Sequence, residues 1–152
     1  MSGYTITLTA SPDPADVEIV KQGLEAYDAS QGALIDWVPL ALFARDAEDK
    51  IIAGLTGSTY WGYLYVGRLW TDQRFRKTGL GSCLLAEAEQ EALQRGCHSI
   101  HLMTGDFNAL PFYQKRGYAV FGELPDMPPG HNQYFMRKVL GRKTVSSQGF
   151  SQ

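Results

Sequence analysis

Cysteine is nearly absent from this chain, with two among 152 residues, Cys83 and Cys97, both inside patterns that read as buried elements. That excludes a disulfide framework and a cysteine-based metal site, and it marks both thiols as free and structural. No His/Cys/Asp grouping has metal-ligand spacing, so no metal is expected. An excess of one charge is missing too: Lys+Arg is 14 and Asp+Glu is 16, a net charge of −2. Without a basic field there is nothing to hold a phosphate backbone, and nucleic acid is excluded as the main partner. No apolar run approaches the roughly 20 residues of a membrane span. Residues 1–10 lack the basic-then-apolar order of a secretory leader. The expectation is a cytoplasmic protein with no membrane attachment.

What the chain does have is apolar content, 44% hydrophobic and 12% aromatic residues, in a length that suits one domain. The domain is expected over residues 1–140, with 141–152 as a polar, aperiodic tail of flexible character. Residues 4–9 alternate with period two and predict a strand, ended by Pro12 and Pro14. Val17, Val20, Leu24 and Tyr27 follow at helical spacing and predict an amphipathic helix over 14–28, with Ser11 or Asp13 as its cap. Residues 38–44, 51–60 and 63–70 predict an antiparallel meander with turns at 45–50 and Gly62. Leu80, Leu84, Ala88 and Ala92 then repeat every four residues, the strongest helical pattern in the chain, stopped by Gly96. Residues 99–103 predict a strand and 108–116 a short helix capped by Asn108. Residues 118–121 and 133–140 predict two last strands around the proline-rich loop 125–130. The class is α/β, with a mixed, mostly antiparallel sheet flanked by helices.

The segment from Leu69 to Ser82 leads from a strand through a basic loop with two glycines into the strong helix. The first turn of a helix exposes N–H groups and a partial positive charge, and glycine lets a phosphate approach the main chain. Arg74, Arg76 and Lys77 add full charges. A pyrophosphate site is the direct reading; a plain turn with solvated cations is the other. A Walker loop is excluded because Lys77 precedes the glycines. A dinucleotide fingerprint is excluded because Leu84 stands where its third glycine belongs.

Two blocks carry a family resemblance. Arg76-Lys-Thr-Gly79-Leu-Gly81 resembles the Arg/Gln-x-x-Gly-x-Gly/Ala signature of the GNAT superfamily of acyl-CoA-dependent N-acetyltransferases. The stretch from Asn108 through Phe112-Tyr113 to Gly117-Tyr118 is similar to that family's Asn-x-x-Ala-x-x-Phe-Tyr-x-x-x-Gly-Phe segment, with Pro111 in place of the small residue usual before Phe112. The resemblance spans residues 4–140. It implies a GNAT-like single domain that binds acetyl-CoA as co-substrate and acetylates a primary amine on a small molecule or peptide. The rival from another class is a catalytically silent acyl-CoA-binding or regulatory module. The resemblance further implies that Leu69, Trp70 and Thr71 offer backbone groups to the pantetheine arm and the thioester carbonyl. Arg76, Lys77, Thr78, Gly79, Leu80, Gly81 and Ser82 would wrap the pyrophosphate, Asn108 would contact the pantetheine, and Tyr113 would protonate the departing thiolate.

No Asp or Glu occurs between Ile51 and Thr71, where many relatives keep the carboxylate that takes the amine's proton. Either water relays that proton, or a more distant group takes it: Asp36, Asp72, Asp106, Glu123 or His131. Tyr60, Trp61, Tyr63 and Tyr65, with Tyr27 and Tyr134, either pack in the core or line the acceptor pocket or a homodimer interface, the ligand reading resting on Tyr27, Tyr60, Trp61 and Tyr63, and His131 in its loop is placed to reach the acceptor.

Overall fold

Asp13 opens the first helix by accepting a hydrogen bond from the Ala15 N–H at 2.8 Å, with Pro14 in the first turn, where its missing N–H costs nothing. That helix, α1 (Pro14–Ser30), belongs to the first of two units into which the computed structural model divides, one ending at Ile35 and the other starting at Asp36. The structure describes residues 3–106 and 109–141. The strand expected over 4–9 does not form. Alternation supplies a strand's side-chain pattern, but a strand also needs a ladder partner, and the described residues of this unit contain no second strand.

The second unit is built on a six-stranded sheet in the order β1-β2-β3-β4-β6-β5. The strands are β1 (Val38–Arg45), β2 (Ile51–Tyr60), β3 (Tyr63–Thr71), β4 (Ser99–Gly105), β5 (Ala119–Leu124) and β6 (Gln133–Val139). The meander β1-β2-β3 is antiparallel, β3 and β4 are parallel, and β6 runs antiparallel to both β4 and β5. Asp46 shapes the first turn by accepting from the Glu48 and Lys50 amides at 2.9 and 3.0 Å. Trp61 and Gly62, both at positive φ, make the second. The long helix α2 (Leu80–Gln94) supplies the crossover that a parallel pairing requires, and the five-residue α3 (Leu110–Gln114) follows β4.

The four-residue repeat of α2 does what its spacing predicts. Leu84, Leu85, Ala88 and Ala92 are buried and pack in one cluster with Leu55, Leu64, Ile100 and Met136 of the sheet. Cys97 is buried there as expected, but Cys83 is exposed. Its position lies on the side of the helix away from that apolar stripe, so it is not a packing residue. The second short helix is also smaller than expected, Leu110–Gln114 instead of 108–116, with Ala109 as a cap that offers no side-chain bond. Asn108, the expected cap, lies outside the described residues. None of the described helices is long and apolar enough to cross a membrane.

One irregularity sets up everything that follows. Opposite Thr56 and Gly57, β3 presents Arg68 and Val66, leaving Gly67 as an extra residue. A bulge of this kind bends its strand and increases its twist. Gly57 meets the bend so closely that a Cβ there would stand 1.9 Å from the Tyr65 carbonyl oxygen.

Candidate active site

The parallel ladder of β3 and β4 runs from Tyr63 opposite Ser99 to Val66 opposite Leu102 and stops at the bulge. Beyond it β3 stays on β2 as far as Thr71, while β4 stays on β6 as far as Gly105. Two half-sheets therefore part, and a wedge opens between the Gly67–Thr71 end of one and the Met103–Gly105 end of the other. Backbone groups on its inner edges are without sheet partners and face whatever enters.

Thr71 leads directly into the loop before α2. Asp72 caps a short 3-10 turn (Gln73–Phe75) by accepting from the Arg74 N–H at 2.9 Å and the Arg74 guanidinium at 3.1 Å. Those bonds hold its carboxyl below the usual carboxylate range. Asp72 is thus a structural anion and a poor proton acceptor. Thr78 donates from its hydroxyl to the Phe75 carbonyl at 2.6 Å, Lys77 takes a positive φ of 64°, and Gly79 follows at 86° as the N-cap of α2.

The first intrahelical bond of α2 is Cys83 N–H to Gly79 O, 3.0 Å, so the amides of Leu80, Gly81 and Ser82 precede it and point out of the helix end. A Cβ at Gly79 would meet nothing within 4 Å. This is a bare backbone cradle with Arg76 and Lys77 beside it. It opens on a cavity of about 410 Å³ lined by Thr71, Phe75, Arg76, Gly79, Gly81, Phe112 and Arg116. The arrangement fits a pyrophosphate followed by an extended chain running toward the wedge.

Three of those lining residues, Phe75, Phe112 and Arg116, have no binding role in the sequence reading, where Phe112 enters only as part of the second family block. Arg116 donates from Nε to Ser82 Oγ at 2.6 Å and from a terminal nitrogen to the Phe112 carbonyl at 2.7 Å. Its guanidinium carbon stands 3.6 Å from the Phe112 ring centroid. The only sequence signal for this was the four-residue spacing from Phe112 to Arg116.

Tyr113 is buried, its ring edge-on to Phe112 and Tyr118, with centroids at 5.1 and 5.5 Å. Burial raises its phenol pKa. The hydroxyl therefore stays protonated at neutral pH. Behind it the Tyr118 hydroxyl donates to Glu89 at 2.8 Å, and Lys138 meets the same carboxylate at 3.1 Å, fixing the aromatic pair from below.

Tyr60, Trp61 and Tyr63 stand elsewhere. They cluster at the β2–β3 turn, the opposite end of β3 from Leu69, about 20 Å away at the rise of a strand. Tyr60 and Trp61 stack at 4.2 Å there, and Asp36 accepts from the Trp61 N–H at 3.0 Å, which places that carboxylate at the far end as well. Tyr27 lies on α1, in the first unit. His131 comes to the end of β4 on its β6 side: it precedes Asn132, whose carbonyl accepts from the Asp106 N–H at 3.1 Å just beyond the Gly105–Gln133 pairing. Among the described residues no three His, Cys, Asp or Glu side chains gather as a metal site would need.

Comparison with known proteins agrees with this geometry. Residues 12–118 match the model of the acetyltransferase (GNAT) family. A blasticidin-S acetyltransferase from Streptomyces morookaense is 39% identical over 101 residues, 66% of this chain and 74% of that protein. The crystal structure of an acetyltransferase from Bacillus cereus superposes with a TM-score of 0.78 at 32% identity, over 88% of this chain and 97% of that one. An aminoglycoside 6'-N-acetyltransferase crystallised with coenzyme A shares the fold at a TM-score of 0.62 and 19% identity, over 86% of this chain and 83% of that one. The parted strands, the glycine-capped helix and these matches lead to one assignment: the chain belongs to the GNAT family of acetyltransferases.

Proposed function

We propose that this protein transfers an acetyl group from acetyl-CoA to a primary amine of a small molecule by direct attack of the amine on the thioester. The observation that carries the reading is the bare N-terminus of α2, with Gly79 as its cap, set at the end of a strand that parts from its neighbour. The amides of Leu80, Gly81 and Ser82, with Arg76 and Lys77, hold the pyrophosphate. The edge of β3 at Leu69 to Thr71 pairs with the pantetheine amides as a missing strand would, and an N–H there polarises the thioester carbonyl as charge develops on its oxygen. Holding amine and thioester together in the wedge supplies much of the acceleration. Tyr113, kept neutral by burial, gives its proton to the departing sulfur.

The likeness to a blasticidin-S acetyltransferase supports a small-molecule acceptor, and the net charge of −2 favours a cationic one. The test is thiol release from acetyl-CoA over a panel of primary amines containing blasticidin S, an aminoglycoside, a polyamine and lysine. Release with at least one amine, together with a mass gain of one acetyl group on it, is the expected result. A thermal shift with CoA but no release with any amine would identify a silent binding module instead.

A further inference from the structure

The wedge narrows to its closed end at Val66 and Leu102, the last pair of the β3–β4 ladder. Both side chains are buried on the α2 side of the sheet, as are those of Leu64 and Ile100. Alternation therefore turns the residues between them, Tyr65 on β3 and His101 on β4, to the other face, where the register sets them opposite each other. His101 stands edge-on to Tyr65 and Tyr63, with ring centroids at 5.1 and 5.6 Å and interplanar angles of 87° and 78°. Among the described residues no hydrogen bond or ion pair engages either of its ring nitrogens. The ring is half-buried, and burial lowers its pKa from the ordinary histidine value. At neutral pH it is therefore uncharged, with one nitrogen unprotonated. Tyr65 and Met103 beside it are exposed, so this face is accessible at the wedge.

With the pyrophosphate at the start of α2 and the pantetheine along Thr71 to Leu69, the thioester comes toward the narrow end of the wedge. The α2 side of that end is filled by packed side chains, Tyr113 among them, which leaves the face of His101 for the amine. The acids considered from the sequence are engaged elsewhere. Asp36 binds the turn at the far end of β3, Asp72 is held ionised by Arg74, and Asp106 and Glu123 bond to His131 and Asn132 on the β6 side of β4. We infer that His101, held edge-on by Tyr63 and Tyr65 at the narrow end of the wedge, is the base that deprotonates the amine acceptor. This rests on the acetyl-transfer reading above. The unprotonated ring nitrogen removes one proton from the ammonium group, and the freed lone pair forms the C–N bond as the C–S bond breaks. Tyr113, on the opposite face, protonates the sulfur and recovers its proton, through solvent, from the second N–H of the nitrogen. His101 releases its proton to water, leaving amide, free thiol and one proton. The charged and titratable groups that the second unit places around the ring are Arg137 of β6, paired with His101 in register, Arg68 of β3 beyond the bulge, the Tyr63 and Tyr65 phenols, and His98 against Tyr63. None of these is a carboxylate, and the two guanidinium groups make an ammonium beside them a stronger acid.

The experiment starts with thiol release by the full chain over the amine panel. If no amine is acetylated, the acetyl-transfer reading fails and this inference falls with it. With an amine that is acetylated, kcat and kcat/KM are measured from about pH 5 to 9 for the wild type, His101→Gln and His98→Gln, the last a control that shares the contact with Tyr63. The wild-type profile should rise from acid pH and level off near or below about pH 6.5, once the imidazole is neutral. His101→Gln should lose roughly 10²–10³-fold in kcat, about the weight of one general base, and keep climbing with the neutral fraction of the amine. His98→Gln should keep the wild-type kcat and plateau. The KM for acetyl-CoA and the thermal shift with CoA should be unchanged in both variants, showing that they fold. A wild-type profile that climbs to pH 9 without levelling would overturn the assignment whether or not His101→Gln folds. So would a wild-type kcat in His101→Gln, an equal loss in the two variants, or a rise confined to the acceptor KM in His101→Gln, which would make His101 a binding group only.

Discussion

Arg116, just past the end of α3, donates to the Ser82 hydroxyl in the first turn of α2 at 2.6 Å, bridging 34 residues of sequence to clamp the two helix ends beside the backbone cradle. The same guanidinium stands over the Phe112 ring, 3.6 Å from its centroid, so it is held by a cation–π contact as well as by hydrogen bonds. The clamp ties the segment carrying Tyr113 to the amides of residues 80–82, and the first prediction follows from it. Arg116→Lys keeps the charge but cannot donate along a fork, and should raise the KM for acetyl-CoA by about tenfold, the weight of one ordinary hydrogen bond to a charged group. Arg116→Ala should do the same or more. An unchanged KM in both would show that the clamp plays no part in cofactor binding.

Gly79 is at φ 86° with open space before its α-carbon. Gly79→Ala should therefore lower stability by about 1 kcal/mol through backbone strain alone. Gly79→Val should also abolish the melting shift with CoA, because its side chain would fill the place of the phosphate. At 100-fold over its dissociation constant CoA should stabilise the wild type by about 2.7 kcal/mol, and ATP at equal concentration far less. Equal shifts from the two nucleotides would contradict the assignment of the cradle.

For Tyr113, replacement by Phe keeps the ring and its packing and removes the hydroxyl. Turnover at saturating substrate should fall by roughly 10²–10⁴-fold with the melting shift from CoA retained. A variant that turns over at the wild-type rate would pass the proton donation to water.

Burial raises the phenol pKa of both Tyr113 and Tyr118, and the bond to Glu89 raises that of Tyr118 further. The folded chain thus keeps phenolic protons that the unfolded chain releases above about pH 10. The associated stability is whole below that pH and is lost as pH rises through the folded-state values. Urea midpoints measured from pH 8 to 11.5 should decline steeply above pH 10 in the wild type, and less steeply in Tyr118→Phe. Parallel curves would place the alkaline sensitivity elsewhere.

Gly57 permits the bulge that opens the wedge, and a Cβ there would overlap the Tyr65 carbonyl oxygen at 1.9 Å. Gly57→Ala should cost at least about 2 kcal/mol, as backbone clashes in a core strand do, lowering the melting temperature by roughly 4–8 °C. Gly23→Ala is the control, since nothing stands within 4 Å of a Cβ at that position. Equal melting temperatures for Gly57→Ala and the wild type would refute the close approach.

Local chemistry alone determined most of the elements and the glycine-capped helix end with its basic loop. The Leu80, Leu84, Ala88, Ala92 repeat, the turn glycines and the order of residues 69–82 are short-range facts, because helix spacing, positive φ and the orphan amides of a helix end arise within a few residues of each other. The tertiary structure decided what depends on partners distant in sequence. Residues 4–9 alternate like a strand, yet the described residues of their unit hold no strand to pair with. Tyr60, Trp61 and Tyr63 are aromatic enough for a pocket, but the length of β3 sets them at its other end. Arg116 finds Ser82, and His131 finds Asp106 across 25 residues, only once the sheet has brought β4 and β6 together. Residue types and spacings along the chain specify which groups can bind phosphate or move a proton. Which of them share a wedge is set by strand order, register and the bulge at Gly67, and these are properties of the folded sheet.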